Sequence, residues 1–155
     1  MKTLIAYFTW SHNTQRLVEA VNGDKGYDVV CIKRNVPYST DYRTCAYVEA
    51  KREIRERLHP AIAPFAVNVG SYDRILLFFP IWWYTIPMPV ATFADGLQGF
   101  SGEVILFANS YTKDPQYMVN ALRDLKKCAP NVSFREGLFN KNAKEHIEFI
   151  NQLSN

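Results

Sequence analysis

The chain has 155 residues, of which 48% are hydrophobic and 21% charged, so it is long enough for a hydrophobic core and is not a disordered protein. Its net charge is +3, with basic and acidic residues interleaved as in EAKREIRER, which indicates a solvated helix face with i,i+4 ion pairs and argues against a nucleic-acid-binding protein. We expect a single domain over residues 1–155, no membrane span and, because Met1 leads directly into an apolar strand without a signal peptide, a cytoplasmic location.

Apolar strands alternate with helices along the chain. The strands are predicted over residues 2–8, 27–33, 71–79, 102–108 and 132–135. The helices are predicted over residues 14–21, 45–58, 90–97, 115–127 and 143–153, with Pro60 stopping the second and Pro115 in the first turn of the fourth. Strands that are apolar on both faces need cover on both faces, so this α/β pattern predicts a doubly wound, three-layer sandwich around a parallel sheet.

The candidate site lies in the loops after strands one, three and four, because ligands of such sheets bind beyond the carboxyl ends of the strands. These loops read TWSHNT, PIWWYTIPMP and NSYTKDP. The first is a strand-to-helix turn, where free N–H groups and the positive end of the helix dipole favour a phosphate. Side-chain donors are added there by Thr9, Ser11, Asn13 and Thr14. The alternative, helix capping by Ser11 or Asn13, explains one polar residue and not four.

Other phosphate-binding motifs are missing from the sequence. It contains neither G-x-G-x-x-G after the first strand nor G-x-x-x-x-G-K-[ST]. No Cys is followed six positions later by Arg, which a Cys-based phosphatase of similar fold requires. The strand ends also lack the carboxylate cluster of a response-regulator receiver.

The second loop carries Trp82, Trp83 and Tyr84, and prolines on either side stiffen it. Large aromatic side chains at a loop tip either cap the edge of the core, form a partner surface, or stack on a flat ring. We expect at least one of the two tryptophans to pack inward. A phosphate site next to an aromatic clamp favours a phosphorylated planar cofactor.

Four segments, AYFTWSHNT, VPYSTDY, FFPIWWYTIPMPVATF and FSGEVILFANS, resemble the flavodoxin family, in particular short flavodoxin-like proteins with a P-I-W-W loop after strand three. The resemblance covers nearly the whole chain. It implies a five-stranded sheet in the order 2-1-3-4-5 with FMN at its carboxyl edge. The implied cofactor-binding residues are Thr9, Trp10, Ser11, His12, Asn13, Thr14, Pro80, Ile81, Trp82, Trp83, Tyr84, Asn109, Ser110, Tyr111 and Thr112.

The family chemistry is electron transfer, which the flavin performs while the protein tunes its potential and access. Shuttle flavodoxins of this family are strongly acidic, whereas this chain has a pI near 8.7 and an uncharged PIWWYTIPMP loop. Fewer anions near the ring predict a less negative second reduction potential. Lys113 would act in the same direction if it faced the ring, although a solvated position is expected. An NAD(P)H-dependent quinone-type reductase with a small electron acceptor is therefore favoured over a redox carrier.

Three positions depart from the family pattern. His12 and Tyr84 stand where relatives carry glycine, and a residue with a side chain is strained wherever φ must be positive. The imidazole of His12 either reaches the phosphate or faces solvent, and Tyr84 either covers the flavin or blocks it. Tyr111 either stacks on the ring or fills the site. The alternative function is an interaction domain of the same fold that has lost or weakened FMN binding.

No acid–base or nucleophilic catalyst is predicted, and no metal site, because the histidines and cysteines show no ligand spacing. His59 is expected at a helix end as a cap, and His146 exposed on the last helix. Tyr38 and Tyr42 either line the entrance of the site or cover the second helix. The three cysteines, Cys31, Cys45 and Cys128, are expected to be reduced core residues. A homodimer is common among flavin reductases of this shape, but no stripe in the sequence identifies an interface.

Overall fold

The computed structural model describes residues 1–153 and confirms the predicted alternation. The strands are β1 Thr3–Tyr7, β2 Asp28–Cys31, β3 Arg74–Pro80, β4 Glu103–Asn109 and β5 Ser133–Phe139. The helices are α1 Asn13–Lys25, α2 Lys51–Glu56, α3 Met88–Asp95, α4 Gln116–Cys128 and α5 Ala143–Asn151. All strand pairs are parallel, in the order β2-β1-β3-β4-β5 that the resemblance implied.

Alternating side chains of the central strands build a separate core on each face of the sheet. On β3, Ile75 and Leu77 join the core that α3 and α4 cover. Leu76 and Phe78 point the other way, into the core beneath α1 and α5. The period of two along a strand thus produces the predicted three layers from runs that are apolar at every position.

The fifth strand is longer than predicted. It continues to Phe139, whereas the apolar pattern indicated an end at residue 135. β5 is an edge strand with several exposed side chains, so polar residues occur within it. One of them, Arg135, donates from Nε to Oε2 of Glu103 on β4 at 3.1 Å. Arg135, the last residue of the predicted strand, thus helps to pair β5 with β4.

The second predicted helix has a different geometry. Residues Thr44–Ala50 form a π-helical segment that continues into α2, which ends at Glu56 rather than at residue 58. The wider winding changes which side chains face inward. Tyr47 lies in line with Ile54 when the segment is wound at 3.6 residues per turn, yet its side chain is more than half exposed. Pro115 also lies one position earlier than predicted, at the N-cap of α4.

The charged stretch of this helix is only partly a solvated face. Arg52 and Glu56 form the expected i,i+4 ion pair at 2.9 Å. Glu53, however, is buried. Its carboxylate accepts hydrogen bonds from the Arg34 guanidinium at 2.9 Å and from the Tyr38 hydroxyl. The Arg34 guanidinium also stacks on the Tyr38 ring, with 3.7 Å between its central carbon and the ring centroid.

The prediction that His146 is exposed is wrong. The residue is fully buried beneath the sheet, where its ring stacks on Phe78 with the centroids 5.7 Å apart. Its Nδ1–H donates to the carbonyl oxygen of Asn142 at 2.7 Å, while Nε2 is buried without a partner among the described residues. Burial lowers the pKa of this imidazole.

Among residues 1–153, every helix is too short or too polar to cross a membrane.

Candidate functional site

A cavity of about 580 Å³ lies beyond the carboxyl ends of β1, β3 and β4. The three loops named from the sequence meet there, and the volume is within the range of small-molecule sites. All predicted site residues line it except His12 and Thr112. The lining also includes residues that the sequence did not single out or left undecided, namely Tyr42, Cys45, Ala46, Tyr47, Ala50 and Tyr117.

The first loop leaves the start of α1 uncapped. The N-cap residue is His12, whose side chain makes no capping hydrogen bond. Its Nδ1 is instead 3.0 Å from Oε1 of Gln15, outside the cavity lining. Neither Ser11 nor Asn13 caps the helix, so helix capping does not explain the polar residues of this loop. The N–H groups of the first turn remain available to a ligand.

His12 adopts the left-handed conformation, with φ of 70° and ψ of 1°. The strain anticipated for this position is therefore present, although histidine tolerates it better than most residues. The kink turns the chain from β1 into α1, and it places Thr9 and Thr14 on the cavity side of the loop.

The hydroxyl of Thr9 provides a test of what the loop can hold. Its Oγ1 is buried and has no hydrogen-bond partner among the described residues. Leaving a buried hydroxyl unpaired costs about 1–3 kcal/mol, so such groups are rare unless something else pairs with them. An oxygen atom held at the start of α1 would accept from this hydroxyl and from the helix N–H groups together. The loop therefore fits an anionic group such as a phosphate.

The second loop is a tight turn between Trp82 and Thr85, which are paired as an isolated bridge. Its two central residues, Trp83 and Tyr84, have φ values of 46° and 72°. Positive φ at both positions defines a type I′ turn, which favours Asn-Gly rather than bulky residues. Strain of this kind persists where the surrounding structure enforces it, and it clusters at functional sites.

The two tryptophans of this loop have different contacts, and the packing of Trp82 against the core confirms that at least one packs inward. Trp82 packs edge-on against Phe8, with the ring centroids 5.1 Å apart, and against Tyr38. Trp83 points outward along the cavity wall. Its indole N–H donates to the carbonyl oxygen of Ala46 at 2.7 Å, so the π-helical segment fixes its ring.

A series of aromatic side chains forms the wall and rim of the cavity. Each ring contacts the next at centroid distances of 5.2–6.5 Å. The series runs in space through Trp10, Tyr42, Tyr47, Trp83, Tyr84 and Tyr117. We call these six residues the aromatic wall. Several of its rings are exposed, Tyr84 at 61%, which gives a planar ligand apolar faces to cover.

The third loop is held by a residue that sequence reasoning missed. Asn140, between β5 and α5, accepts a hydrogen bond from the backbone N–H of Ser110 at 2.6 Å. Asn140 itself has a φ of 56°, a conformation that asparagine tolerates.

Tyr111 is fully exposed and does not fill the cavity. Of the two loop tyrosines left undecided, Tyr42 lines the cavity.

Tyr38, the second of that pair, belongs to the supporting structure. It packs between Phe8 and Trp82 and does not line the cavity. Burial and the neighbouring Glu53 carboxylate raise the pKa of its hydroxyl well above the usual range, so it stays protonated and donates.

Among the described residues, the side chains that line the cavity are all uncharged at neutral pH. The thiol of Cys45 is included, because burial and the nearby Glu49 raise its pKa to about 11. Two cations lie next to the lining: Nη1 of Arg16 donates to Oδ1 of Asn13 at 2.8 Å, and Nζ of Lys51 lies 5.0 Å from the centroid of the Trp83 ring. The lining itself is therefore apolar and aromatic at one end and polar but uncharged at the other.

His59 is not the helix cap that the sequence suggested. Its Nδ1 lies 2.5 Å from Oδ2 of Asp95 in a second cavity, on the far side of the Trp83–Tyr84 turn.

All three cysteines are free, as expected, but only Cys45 is fully buried.

Comparisons with known proteins agree with the fold. The profile of a family described as Flavodoxin matches residues 2–153. No curated protein matches the chain significantly in sequence. A flavoprotein from Lactobacillus acidophilus, solved in complex with FMN, is 22% identical and superposes with a TM-score of 0.79 over 96% of this chain and 98% of its own.

Two further structures are similar over nearly their whole length. A protein of Bacteroides eggerthii, described as a putative flavoprotein, is 26% identical with a TM-score of 0.80, covering 97% of this chain and 96% of its own. A protein of Bacteroides uniformis with the same description is 24% identical with a TM-score of 0.80, covering 97% and 98%.

Proposed function

This chain belongs to the flavodoxin family, and from that premise we propose that it binds FMN in the cavity beyond β1, β3 and β4 and works as an NAD(P)H-dependent reductase of small quinone-type acceptors. When bound, FMN supplies one- or two-electron transfer. The observation that carries the proposal is the unpaired, buried hydroxyl of Thr9 beside the uncapped start of α1. A flavin phosphate supplies the acceptor oxygens that this arrangement lacks.

The phosphate would be held by the first loop. Thr9, Ser11, Asn13 and Thr14 offer hydroxyl and amide donors there, next to the helix N–H groups. Trp10 is fixed by its own indole N–H, which donates to the carbonyl oxygen of Ser39 at 3.0 Å. His12 contributes its backbone conformation rather than its imidazole, since the ring bonds to Gln15.

The flat ring system would lie against the second and third loops. Pro80, Ile81 and Trp82 form the floor of this part of the cavity, and Trp83 and Tyr84 its wall. The tight turn presents backbone groups as well as rings. At the other end, Asn109, Ser110 and Tyr111 line the cavity, while Thr112 supports the loop through a hydrogen bond to the Tyr117 hydroxyl at 3.0 Å.

The neutral lining supports the reductase over a low-potential shuttle. Carboxylates around a flavin disfavour the negative charge that reduction adds, and none lines this cavity among the described residues. The exposed aromatic wall offers stacking surface to a planar reductant or acceptor and no anionic patch to a basic protein. Free cysteines agree with the proposed cytoplasmic setting, which is reducing. A homodimer is part of the proposal by family resemblance.

The second candidate is an interaction domain that has lost the flavin. The side chains of His12 and Tyr84, at positions where relatives carry glycine, favour it because each residue adopts a left-handed conformation that is strained for any residue other than glycine. It also requires a filled or collapsed site. The open cavity and the exposed position of Tyr111 weigh against it.

The redox assignment is tested with the FMN-loaded chain under anaerobic conditions. We expect NADH or NADPH to reduce the bound flavin, seen as loss of its visible absorbance, and a soluble quinone to restore it. A redox titration should give a second potential less negative than that of acidic shuttle flavodoxins. Reduction by dithionite but by neither nucleotide, together with a very negative second potential, would support a carrier instead.

A further inference from the structure

A second cavity, of about 610 Å³, lies on the other side of the Trp83–Tyr84 turn. Three residues from separate parts of the chain meet in its wall. His59 follows α2, Asp95 is the last residue of α3, and Cys128 is the last residue of α4. One potential ligand atom from each lies within 4.8 Å of the others. The spacing of these residues along the chain gave no sign of a site, because only the fold brings them together.

The donor set is specific in its chemistry. An imidazole nitrogen, a carboxylate oxygen and a thiolate sulfur are the ligands that zinc takes in proteins, at about 2.0–2.3 Å from the ion. Calcium and magnesium prefer six or more oxygen ligands and have no use for sulfur. A carboxylate and a thiolate also carry two negative charges, which balance a divalent ion. Three protein ligands leave the fourth tetrahedral position for a water or a ligand from the cavity.

The local electrostatics favour a cation at the cluster itself. The C-terminal ends of α3 and α4 meet there, and each carries partial negative charge on its last carbonyl groups. Arg123, which lines the same cavity, is paired with Asp124 at 3.1 Å. Arg57 and Lys127 line the cavity too and oppose a cation.

The cluster is also accessible. The side chains of His59 and Asp95 are 35% and 41% exposed, so an ion can reach them from solvent. In the metal-free chain the imidazole and the carboxylate satisfy each other through the 2.5 Å contact. Binding replaces that contact with two metal–ligand bonds and releases the Cys128 thiol proton to solvent.

We propose that His59, Asp95 and Cys128 form a zinc-binding site that joins the ends of α2, α3 and α4 beside the Trp83–Tyr84 turn. The site is separate from the FMN cavity and independent of the proposed redox function.

The test uses the full chain after treatment with a chelator, without flavin, and Co²⁺ as a spectroscopic probe for Zn²⁺. We expect one Co²⁺ per chain, an intense near-ultraviolet band from thiolate-to-metal charge transfer, and loss of that band when Zn²⁺ displaces Co²⁺. Cys128→Ser should abolish the band. His59→Gln, at an exposed position that does not threaten folding, should weaken Zn²⁺ binding at least about tenfold.

Cys31→Ser is the matched control, because Cys31 is likewise partly buried but lies on β2. It should retain both the band and the affinity. The proposal is overturned if no charge-transfer band forms in the wild type, or if the band survives in a folded Cys128→Ser variant. It is also overturned if His59→Gln and the wild type bind Zn²⁺ equally. FMN binding should be unaffected by either ligand variant, so the two proposals fail separately.

Discussion

The backbone N–H of Trp82 donates to the carbonyl oxygen of Thr85 at 2.9 Å, and the N–H of Thr85 donates back to the carbonyl of Trp82 at 3.2 Å. These reciprocal bonds close a two-residue turn and force positive φ on Trp83 and Tyr84 between them. The second loop of the proposed FMN site is therefore held in a backbone conformation that is strained for the two bulky residues at its centre. A left-handed residue with a side chain costs roughly 1–2 kcal/mol relative to glycine.

Replacing Tyr84 with glycine should stabilise the chain without flavin. Glycine adopts φ of 72° without strain, and the tyrosine side chain is 61% exposed, so little packing is lost. We expect the free energy of unfolding in urea to rise by about 1 kcal/mol. Tyr84→Ala removes the same ring but keeps the strain, and it should not stabilise. Equal stabilities of the glycine and alanine variants would show that the turn is not strained.

Thr9→Val should change stability and FMN affinity in opposite directions. Valine has nearly the same shape as threonine and removes the unpaired buried hydroxyl, so the flavin-free chain should become more stable by about 1 kcal/mol. The same change removes a donor to a charged phosphate, which should weaken FMN binding about tenfold or more. Riboflavin binding should not change.

Thr9→Ser is the control for that pair of measurements, because it keeps the hydroxyl and should bind FMN as the wild type does. If Thr9→Val destabilises the flavin-free chain, the hydroxyl already has a partner. The assignment of the phosphate to this loop then loses its main support.

Glu53→Gln should destabilise the chain strongly. The carboxylate is buried and pairs with Arg34, and removing one partner of a buried ion pair costs about 3–5 kcal/mol. Since Tyr38 donates to the same carboxylate and packs on Trp82, the near-ultraviolet circular dichroism of the aromatic residues should also change. Glu56→Gln, which breaks an exposed ion pair of the same helix, should cost less than about 1 kcal/mol. Similar losses in both variants would contradict the buried network.

Stability should fall as the pH drops below about 6.5, the ordinary pKa of histidine, because of His146. Its pKa is lowered in the folded state, so below that pH the unfolded chain takes up a proton that the folded chain does not. The loss continues until the pH reaches the lowered value. His146→Leu should reduce this acid dependence, measured as the free energy of unfolding between pH 7 and pH 5. An acid dependence that is equally steep in His146→Leu and in the wild type would contradict this assignment.

Much of the fold followed from the sequence pattern, because the interiors of β3 and β4, residues 75–79 and 104–108, are apolar at every position and can only lie between two layers. β5 was predicted too short because an edge strand tolerates polar residues such as Glu136, which follows the predicted end and breaks the apolar pattern. The π-helical segment could not be foreseen from a period of 3.6 residues. The exposed position of Tyr47 was missed for that reason.

The parts of the candidate site that consist of neighbouring residues in the sequence could be predicted. The first and second loops each carry several informative residues, so their roles could be proposed before the fold was known. Contacts from distant segments could not be predicted from the sequence. Examples are the hydrogen bond from the Ser110 N–H to the Asn140 side chain and the one from the Trp83 indole N–H to the Ala46 carbonyl oxygen. The positive φ of His12 could be suspected from the family glycine, but the matching strain at Trp83 could not.

FMN binding through the first loop is tested most directly by titrating the purified flavin-free chain with FMN and, in parallel, with riboflavin, following the quenching of flavin fluorescence. Riboflavin carries the same ring without the phosphate, so the ratio of the two dissociation constants isolates the loop at the start of α1. We expect FMN to bind at least about a hundredfold more tightly than riboflavin, since several charge-assisted hydrogen bonds are involved. Equal and weak binding of both would contradict the account and would favour an interaction domain that has kept the fold and lost the cofactor.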